Sequence, residues 1–221
     1  MRKLNPDSPA WCPGCGNYGI LPTLDSAIEE TGLDRHRLVL VSGIGQAAKV
    51  PHYTKANVFN GLHGRALPPA TGIKLANHEL EVVVTSGDGD MYGEGGNHFV
   101  HAIRRNIGVK CFVHNNQVYG LTKGQASPTS ECGMQTPIQT HGVMLKPLNP
   151  LAIAIVEGAS LVMRSFAMGR DHLQEMMVNA LKHDGGFVLL DILQPCPSFN
   201  KRNTAKWYRE RVQPIGDDHD P

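Results

Sequence analysis

The sequence predicts an α/β domain built on a mainly parallel sheet, and three observations carry that prediction. Short apolar, β-branched runs recur at Leu38 to Val41, Val82 to Thr85, Val109 to Val113, Leu161 to Phe166 and Phe187 to Ile192. Runs that are apolar on both faces suit strands covered on both sides. Helical periodicities fall between these runs, which is the order of a βαβ chain. Polar, glycine-bearing loops follow residues 42, 86 and 114, at the carboxyl ends of three strands, where open parallel sheets bind ligands.

The elements follow in order. Residues 1–15 form an extended arm ending in the turn Cys12-Pro13-Gly14-Cys15. Tyr18 to Thr31 places Ile20, Leu21, Leu24, Ala27 and Ile28 at helical spacing, with Gly32 as the stop. The first strand runs into Ser42-Gly43-Ile44-Gly45-Gln46. A further glycine loop spans Asn60 to Arg65, and Ala66 to Ala76 continues as a helix with Pro68 and Pro69 in its first turn.

Val82 to Gln125 is one β-α-β unit. Its first strand stops at Ser86-Gly87-Asp88-Gly89-Asp90, and a helix follows with His98, Phe99, Ala102 and Ile103 on one face. Its second strand ends at Asn115-Asn116 and the loop Tyr119-Gly120-Leu121-Thr122. Ala126 to Pro147 lacks any period; so long a loop in a compact domain is expected to be functional or mobile. Helices are predicted from Asn149-Pro150 to about Glu157 and from Asp171 to Lys182, and the chain beyond Pro195 is polar and irregular. The whole reads as one domain over 1–221, with an arm (1–16) and a tail (195–221).

Composition narrows the function. The 221 residues suffice for one α/β domain and are short for two. A net charge of +1 with interspersed acids and bases speaks against nucleic-acid or membrane partners. No apolar run approaches the about 18 residues of a membrane span, and MRKLNPDSPAWC lacks a signal-peptide core, so a cytoplasmic location is expected. Five cysteines, two of them in the Cys-x-x-Cys turn, make a better case for a metal or redox site than for disulfides. No GxGxxG joins the first strand to its helix, and a P-loop is absent.

The candidate chemistry is a metal-diphosphate site. Mg²⁺ takes about six oxygen ligands and keeps one or two carboxylates plus substrate phosphates. Asp88 supplies a carboxylate, Asn116 an amide oxygen, and a backbone carbonyl just after it a third ligand. Gly87, Gly89 and Gly120 let the chain approach a diphosphate, Asp90 shares their loop, and Thr122 with nearby amides donates to phosphate oxygens. Either half alone is an ordinary glycine turn. Together, GDG and NN on either side of residues 90–114 resemble the thiamine diphosphate motif.

Several further stretches complete a resemblance: WCPGCGN (11–17), SGIG (42–45), GLHGRALPPATGIKLAN (61–77), SGDGDMYGEGGNHFVHAIRRN (86–106), NNQVYGLTKGQASPT (115–129) and QPCPSFN (194–200). Spread over nearly the whole chain, they are similar to the β subunit of the 2-oxoacid:ferredoxin oxidoreductases. The resemblance implies the three-layer thiamine-diphosphate-binding fold and an α subunit holding the aminopyrimidine half of the cofactor. It also implies coenzyme A-dependent oxidative decarboxylation of a 2-oxoacid with electrons passed to ferredoxin. Asp88, Asn116 and the Val118 carbonyl match the magnesium ligands, and Gly89, Gly120, Leu121 and Thr122 the diphosphate loop. Ile44, Gly45, His63 and Gly64 match the remaining cofactor contacts, His63 being also a catalytic candidate. The glutamate that activates the cofactor is expected on the α chain, so this chain alone should be inactive.

The resemblance also implies a 4Fe-4S cluster on four cysteines. Cys12, Cys15 and Cys196 are present, but the fourth position is Gln46. A cubane cluster normally takes four thiolates, and a neutral amide is a hard substitute for one. A cluster with a non-cysteine ligand, one that loses iron easily, and no cluster at all remain as alternatives. Zinc would also want a fourth ligand, while Cys111 and Cys132 are bystanders.

Lys49 is a candidate partner for the distal carboxylate of a dicarboxylic substrate, and the surrounding QAAK-PHY stretch resembles the 2-oxoglutarate branch more than the pyruvate one. His98 and His101 are expected to be packing residues, and Arg104-Arg105 a helix-terminal charge pair. Family members usually run on beyond Asp217 to Pro221, so a C-terminal arm is expected to be missing or to lie elsewhere. Two other functions stand beside the leading one. They are a non-redox thiamine decarboxylase subunit without a cluster, which Gln46 favours, and a non-catalytic metal-binding module, which the Asp88/Asn116 pair disfavours.

Overall fold

A computed structural model describes residues 9–216; the first eight residues of the arm and Asp217 to Pro221 lie outside them. The elements are α1 (Asn17–Thr31), β1 (Leu38–Ser42), α2 (Val50–Tyr53), β2 (Asn57–Asn60), α3 (Leu67–Ala76), β3 (Glu81–Gly87), α4 (Gly96–Arg105) and β4 (Val109–Asn115), followed by β5 (Val118–Tyr119), β6 (Gln125–Ala126), α5 (Pro150–Val156), β7 (Leu161–Phe166), α6 (Arg170–Lys182), β8 (Val188–Leu193) and α7 (Ala205–Arg209).

Six strands pair in parallel in the order β2-β1-β3-β4-β8-β7, and β5 and β6 form a separate hairpin. Alternate side chains sort to two faces, as the strand period requires. Leu38, Leu40, Val83, Phe112, Leu190 and Ile192 face α1 and α6, while Val39, Val41, Val82, Val84, Cys111 and Leu189 face α3, α4 and α5. The result is helix layer, sheet, helix layer. Among the described residues no helix is long and apolar enough to cross a membrane.

All five predicted strands are present, and the sheet gains β2, whose residues Asn57, Val58, Phe59 and Asn60 are all exposed. An exposed edge strand carries no apolar signature; only its register against β1, Val39 opposite Asn57 through Ser42 opposite Asn60, defines it. The tail also departs from the irregular segment expected, because Thr204 caps α7 and Tyr208 is buried against the ring of Phe166. The loop after β6 stays irregular but is packed, with Ser127, Thr129, Ser130, Met134 and Thr136 buried.

The strand order matters for function. From β1 the chain turns to one side for β2, then crosses back to the other for β3. That reversal leaves a crevice beyond the carboxyl ends of β1 and β3, and β4 lies alongside. At the other edge, Asp191 sits fully buried in β8 and takes both Nε (2.9 Å) and Nη2 (2.8 Å) of the cross-strand Arg164 on Oδ2. Removing that guanidinium takes away the counter-charge of a buried carboxylate that Tyr92 and Asn115 still hydrogen-bond. Arg164→Leu is expected to lower stability by about 3 kcal/mol in urea denaturation at pH 7, with Arg164→Lys falling between it and the parent.

Candidate functional site

The loops after β1, β2, β3 and β4 meet over the crevice. They line a cleft with Ile44, Gly45, Gln46, His63, residues 87–90, Asn116 and residues 118–122. Of the sequence-predicted cofactor contacts only Gly64 is not on the wall; it sits directly behind His63. Gly45 and Gly87 meet no neighbour where a Cβ would stand, so a side chain there would enter the ligand's space.

One buried carboxylate joins the walls. Asp90 Oδ1 accepts from the Ile44 amide at 3.1 Å and the Gly64 amide at 2.8 Å, His63 Nδ1 lies 3.0 Å from the same oxygen, and Oδ2 accepts from Ser86 Oγ at 2.5 Å. A Cβ on Gly43 would stand 2.1 Å from Asp90 Oδ2 and one on Gly64 2.5 Å from the Glu94 carbonyl carbon, which explains both glycines. The Asp90 oxygens are occupied within the protein, so its part in the cofactor set is to tie the loops together. With Nδ1 tied to Asp90, Nε2 is the free nitrogen of His63.

Asp88 is arranged differently. Asp88 sits at the start of a π-helical turn over Gly89–Glu94 and Asp90 lies inside it; such turns are common at functional sites. Oδ2 of Asp88 accepts from Ser127 Oγ at 2.5 Å and Thr129 Oγ1 at 2.7 Å, whereas Oδ1 has only the Asn116 amide at 3.4 Å. Burial pushes the carboxyl up to about 6, partly offset by the two hydroxyls and the Asn116 amide, with Asp191 adding to the rise. A buried carboxylate with one oxygen free is the donor a hard cation needs.

Asn116 lies opposite, its Oδ1 accepting from the Val118 amide at 3.1 Å through Gln117, whose backbone is left-handed at φ 62°. A strained non-glycine residue beside a ligand position is a mark of functional sites. The Val118 side chain is buried, and Gly89 is required because a Cβ would collide with the Tyr119 ring. Thr122 donates to Gln125 Oε1 at 2.6 Å. These donors and glycines fit a magnesium-diphosphate group.

Four residues around the cleft escaped the sequence reading. Ser127 and Thr129 come from the patternless loop; the clustering of short hydroxyl residues there was the available signal. His114 and Gln194 also line the cleft. His114 is fully buried, pushed down to about 3 by that burial, and held through Nδ1 to Asn17 Oδ1 at 2.8 Å. Lys49, by contrast, is not on the cleft wall; its ammonium donates to the Ala10 carbonyl at 3.3 Å. His98 and His101 stay on the outer side of α4, partly buried.

A second, smaller cavity shares Gln46, Asn116 and Gly120 with the first and is lined by Trp11, Cys12, Cys15 and Cys196. Trp11 Nε1 donates to the Gln46 carbonyl at 2.9 Å, anchoring the cysteine turn on the β1 loop. Burial pushes the Cys15 thiol up to about 11, less the effect of the Asn17 amide. Among the described residues no three His, Cys, Asp or Glu side chains form a group that could hold a metal ion. The three thiols border the second cavity, where Gln46 Oε1 is buried without a partner.

The chain has relatives among known proteins. Residues 42–192 match the family model of the thiamine pyrophosphate enzyme, C-terminal TPP binding domain, and residues 196–221 match that of the C-terminal region of the pyruvate ferredoxin oxidoreductase β chain. The chain is 49% identical over 220 residues to the 2-oxoacid:ferredoxin oxidoreductase subunit β of Saccharolobus solfataricus, covering 99% of this chain and 72% of that one. It is 40% identical to the 2-oxoglutarate synthase subunit KorB of Archaeoglobus fulgidus, over 88% of this chain and 72% of that one. A solved 2-oxoglutarate:ferredoxin oxidoreductase from Magnetococcus marinus, with 2-oxoglutarate, coenzyme A and succinyl-CoA bound, superposes with a TM-score of 0.94 at 38% identity, covering all of this chain and 77% of that one.

The raised Asp88 carboxyl makes a signed prediction. Its folded value lies above the unfolded one, so the cofactor-free protein loses stability as pH rises from about 4 through about 6, by about 3 kcal/mol in all. Asp88→Asn removes that penalty. Its melting temperature without cofactor should exceed the parent's at pH 8, converge on it towards pH 4, and fall below it once Mg²⁺ and thiamine diphosphate are added.

Proposed function

The chain belongs to the β subunits of the 2-oxoacid:ferredoxin oxidoreductases, and on that premise we propose how its residues serve the reaction. With an α subunit it catalyses thiamine diphosphate-dependent oxidative decarboxylation of a 2-oxoacid to acyl-coenzyme A, 2-oxoglutarate being the favoured substrate and ferredoxin the electron acceptor. The observation that carries this is the buried Asp88 carboxylate with one open oxygen beside Asn116, at the crevice where the strand order reverses.

Asp88 Oδ1, Asn116 and the Val118 carbonyl hold Mg²⁺. Gly87, Gly89, Gly120, Leu121 and Thr122 receive the diphosphate, and Ile44, Gly45, His63 and Gly64 close the opposite wall. When bound, the cofactor supplies the carbon nucleophile and electron sink for decarboxylation. His63, oriented by Asp90, presents Nε2 to the cleft and can hold or pass a proton there. The activating glutamate belongs to the α subunit.

Cys12, Cys15 and Cys196 would hold an iron–sulfur cluster, with the Gln46 side chain on the same cavity. That cavity shares Gln46, Asn116 and Gly120 with the cofactor cleft, and a cluster there would supply one-electron chemistry beside it. The non-redox decarboxylase reading has Gln46 in its favour, but three thiols from two separate segments on one cavity favour the redox enzyme.

Anaerobically purified α/β complex is expected to carry iron, sulfide and releasable thiamine diphosphate, and to reduce ferredoxin with 2-oxoglutarate and coenzyme A. Thiamine without iron would instead identify the decarboxylase, and metal without thiamine the binding module. Gln46→Cys should raise iron retained after air exposure. Because Lys49 lies off the cleft wall, Lys49→Ile tests substrate choice directly. A shift from 2-oxoglutarate towards pyruvate in the 2-oxoacid panel would return Lys49 to the substrate end, and an unchanged ratio would assign the choice to other residues.

A further inference from the structure

The Asp88 carboxylate is asymmetric, and the cause lies outside the loops that carry the metal ligands. A carboxylate oxygen has about two acceptor sites. Both sites of Oδ2 are taken, by Ser127 Oγ (2.5 Å) and Thr129 Oγ1 (2.7 Å), whereas Oδ1 has only a long 3.4 Å contact from the Asn116 amide. The residues that carry these hydroxyls are themselves held. The single Thr129 Oγ1 proton is shared between Asp88 Oδ2 and Asn115 Oδ1, 2.9 Å away, and Asn115 Nδ2 donates at 3.1 Å to Asp191 Oδ1. Asp191 in turn is fixed by the Tyr92 hydroxyl at 2.8 Å and by Arg164. On the other side the Ser127 amide donates to Ser130 Oγ at 2.9 Å, and Ser130 Oγ donates to the Gln117 carbonyl at 2.5 Å. Ser127, Thr129, Asn115 and Asp191 are all buried, so water does not compete readily for these bonds.

We propose that Thr129, placed beside Asn115 and Asp191, and Ser127, placed by Ser130, are positioning residues that force Asp88 to bind its cation through Oδ1 alone and thereby select Mg²⁺ over Ca²⁺. This rests on Asp88 being the cation ligand. Mg²⁺ demands near-octahedral geometry with few protein ligands, whereas Ca²⁺ takes six to eight oxygens and accepts bidentate carboxylates. A second oxygen locked into two hydroxyl bonds denies Ca²⁺ the bidentate mode and costs Mg²⁺ nothing. The selectivity is thus set at the hydrogen-bonded oxygen, while the coordinating oxygen is common to both ions.

The test uses the full chain co-expressed with its α subunit and stripped of cofactor, with thiamine diphosphate binding measured by calorimetry in Mg²⁺ and in Ca²⁺. Thr129→Val keeps the shape and loses the hydroxyl; Ser127→Ala removes the other. Each is expected to lower the Mg²⁺-to-Ca²⁺ affinity ratio about tenfold, the scale of one hydrogen bond to a charged group, and Thr129→Ser should restore it. A merely structural defect would weaken binding with both ions equally. Variants that bind cofactor with the parent ratio would overturn the proposal. Asp88→Asn is the control for the reading beneath it. If that variant kept metal-dependent cofactor binding, the magnesium assignment itself would fall; if it lost that binding while Thr129→Val and Ser127→Ala kept the parent ratio, only the selectivity proposal would.

Discussion

The site depends first on the Asp90 carboxylate. Three loops from separated parts of the chain converge on the crevice, and each brings donors that would otherwise be orphaned in a buried place. Asp90 takes the amides of Ile44 and Gly64, the ring of His63 and the hydroxyl of Ser86. Bonds from several donors to one anion are stronger than neutral ones, and here they set the cleft's width before any ligand arrives. Gly43 exists to let the carboxylate in. The cofactor walls are therefore preorganised, which is the condition for precise positioning of a bound group.

Two aspartates two residues apart thus do opposite work. Asp90 has its oxygens filled by the protein and acts as a tie; Asp88 has one oxygen filled and one free, the arrangement that the proposed metal site needs. The π turn from Gly89 to Glu94 turns them into different surroundings. Asp88 meets the hydroxyls of the 127–130 loop, and Asp90 meets backbone amides. The cost of burying Asp88 is visible in its raised carboxyl value, and a bound cation relieves that cost. Stability of the empty protein is given up for affinity.

The second cavity extends the same economy of placement. Gln46, Asn116 and Gly120 border both spaces, and Gln194, a residue of the cleft wall, donates to Cys15 Sγ at 3.6 Å. Trp11 pins the cysteine turn to the loop after β1. One loop therefore serves the cofactor through Ile44 and Gly45 and the thiols through Gln46. A change at Gln46 is placed to affect the cysteine cavity while Asp90 holds the cofactor side in register.

The sequence by itself determined the fold class, five of the six strands of the main sheet, and the loops that build the cleft. Doubly apolar runs and glycine turns are local properties, and they survive without knowledge of neighbours. It also determined Asp88 and Asn116 as ligand candidates, since their chemistry is readable from residue type and spacing. Only the tertiary structure decided what each polar group does. Asp90 read only as a member of the cofactor loop, and its partners come from residues 44, 63, 64 and 86. Ser127 and Thr129 sat in a stretch without period, and their partner lies about forty residues earlier in the chain. Edge strand β2 had no apolar pattern because nothing covers it. Asp191 interrupts an apolar strand, a signal in plain view, but its meaning came from Arg164, Tyr92 and Asn115. Hydrogen bonds are directional and short, so the assignment of donors to acceptors is made by the fold.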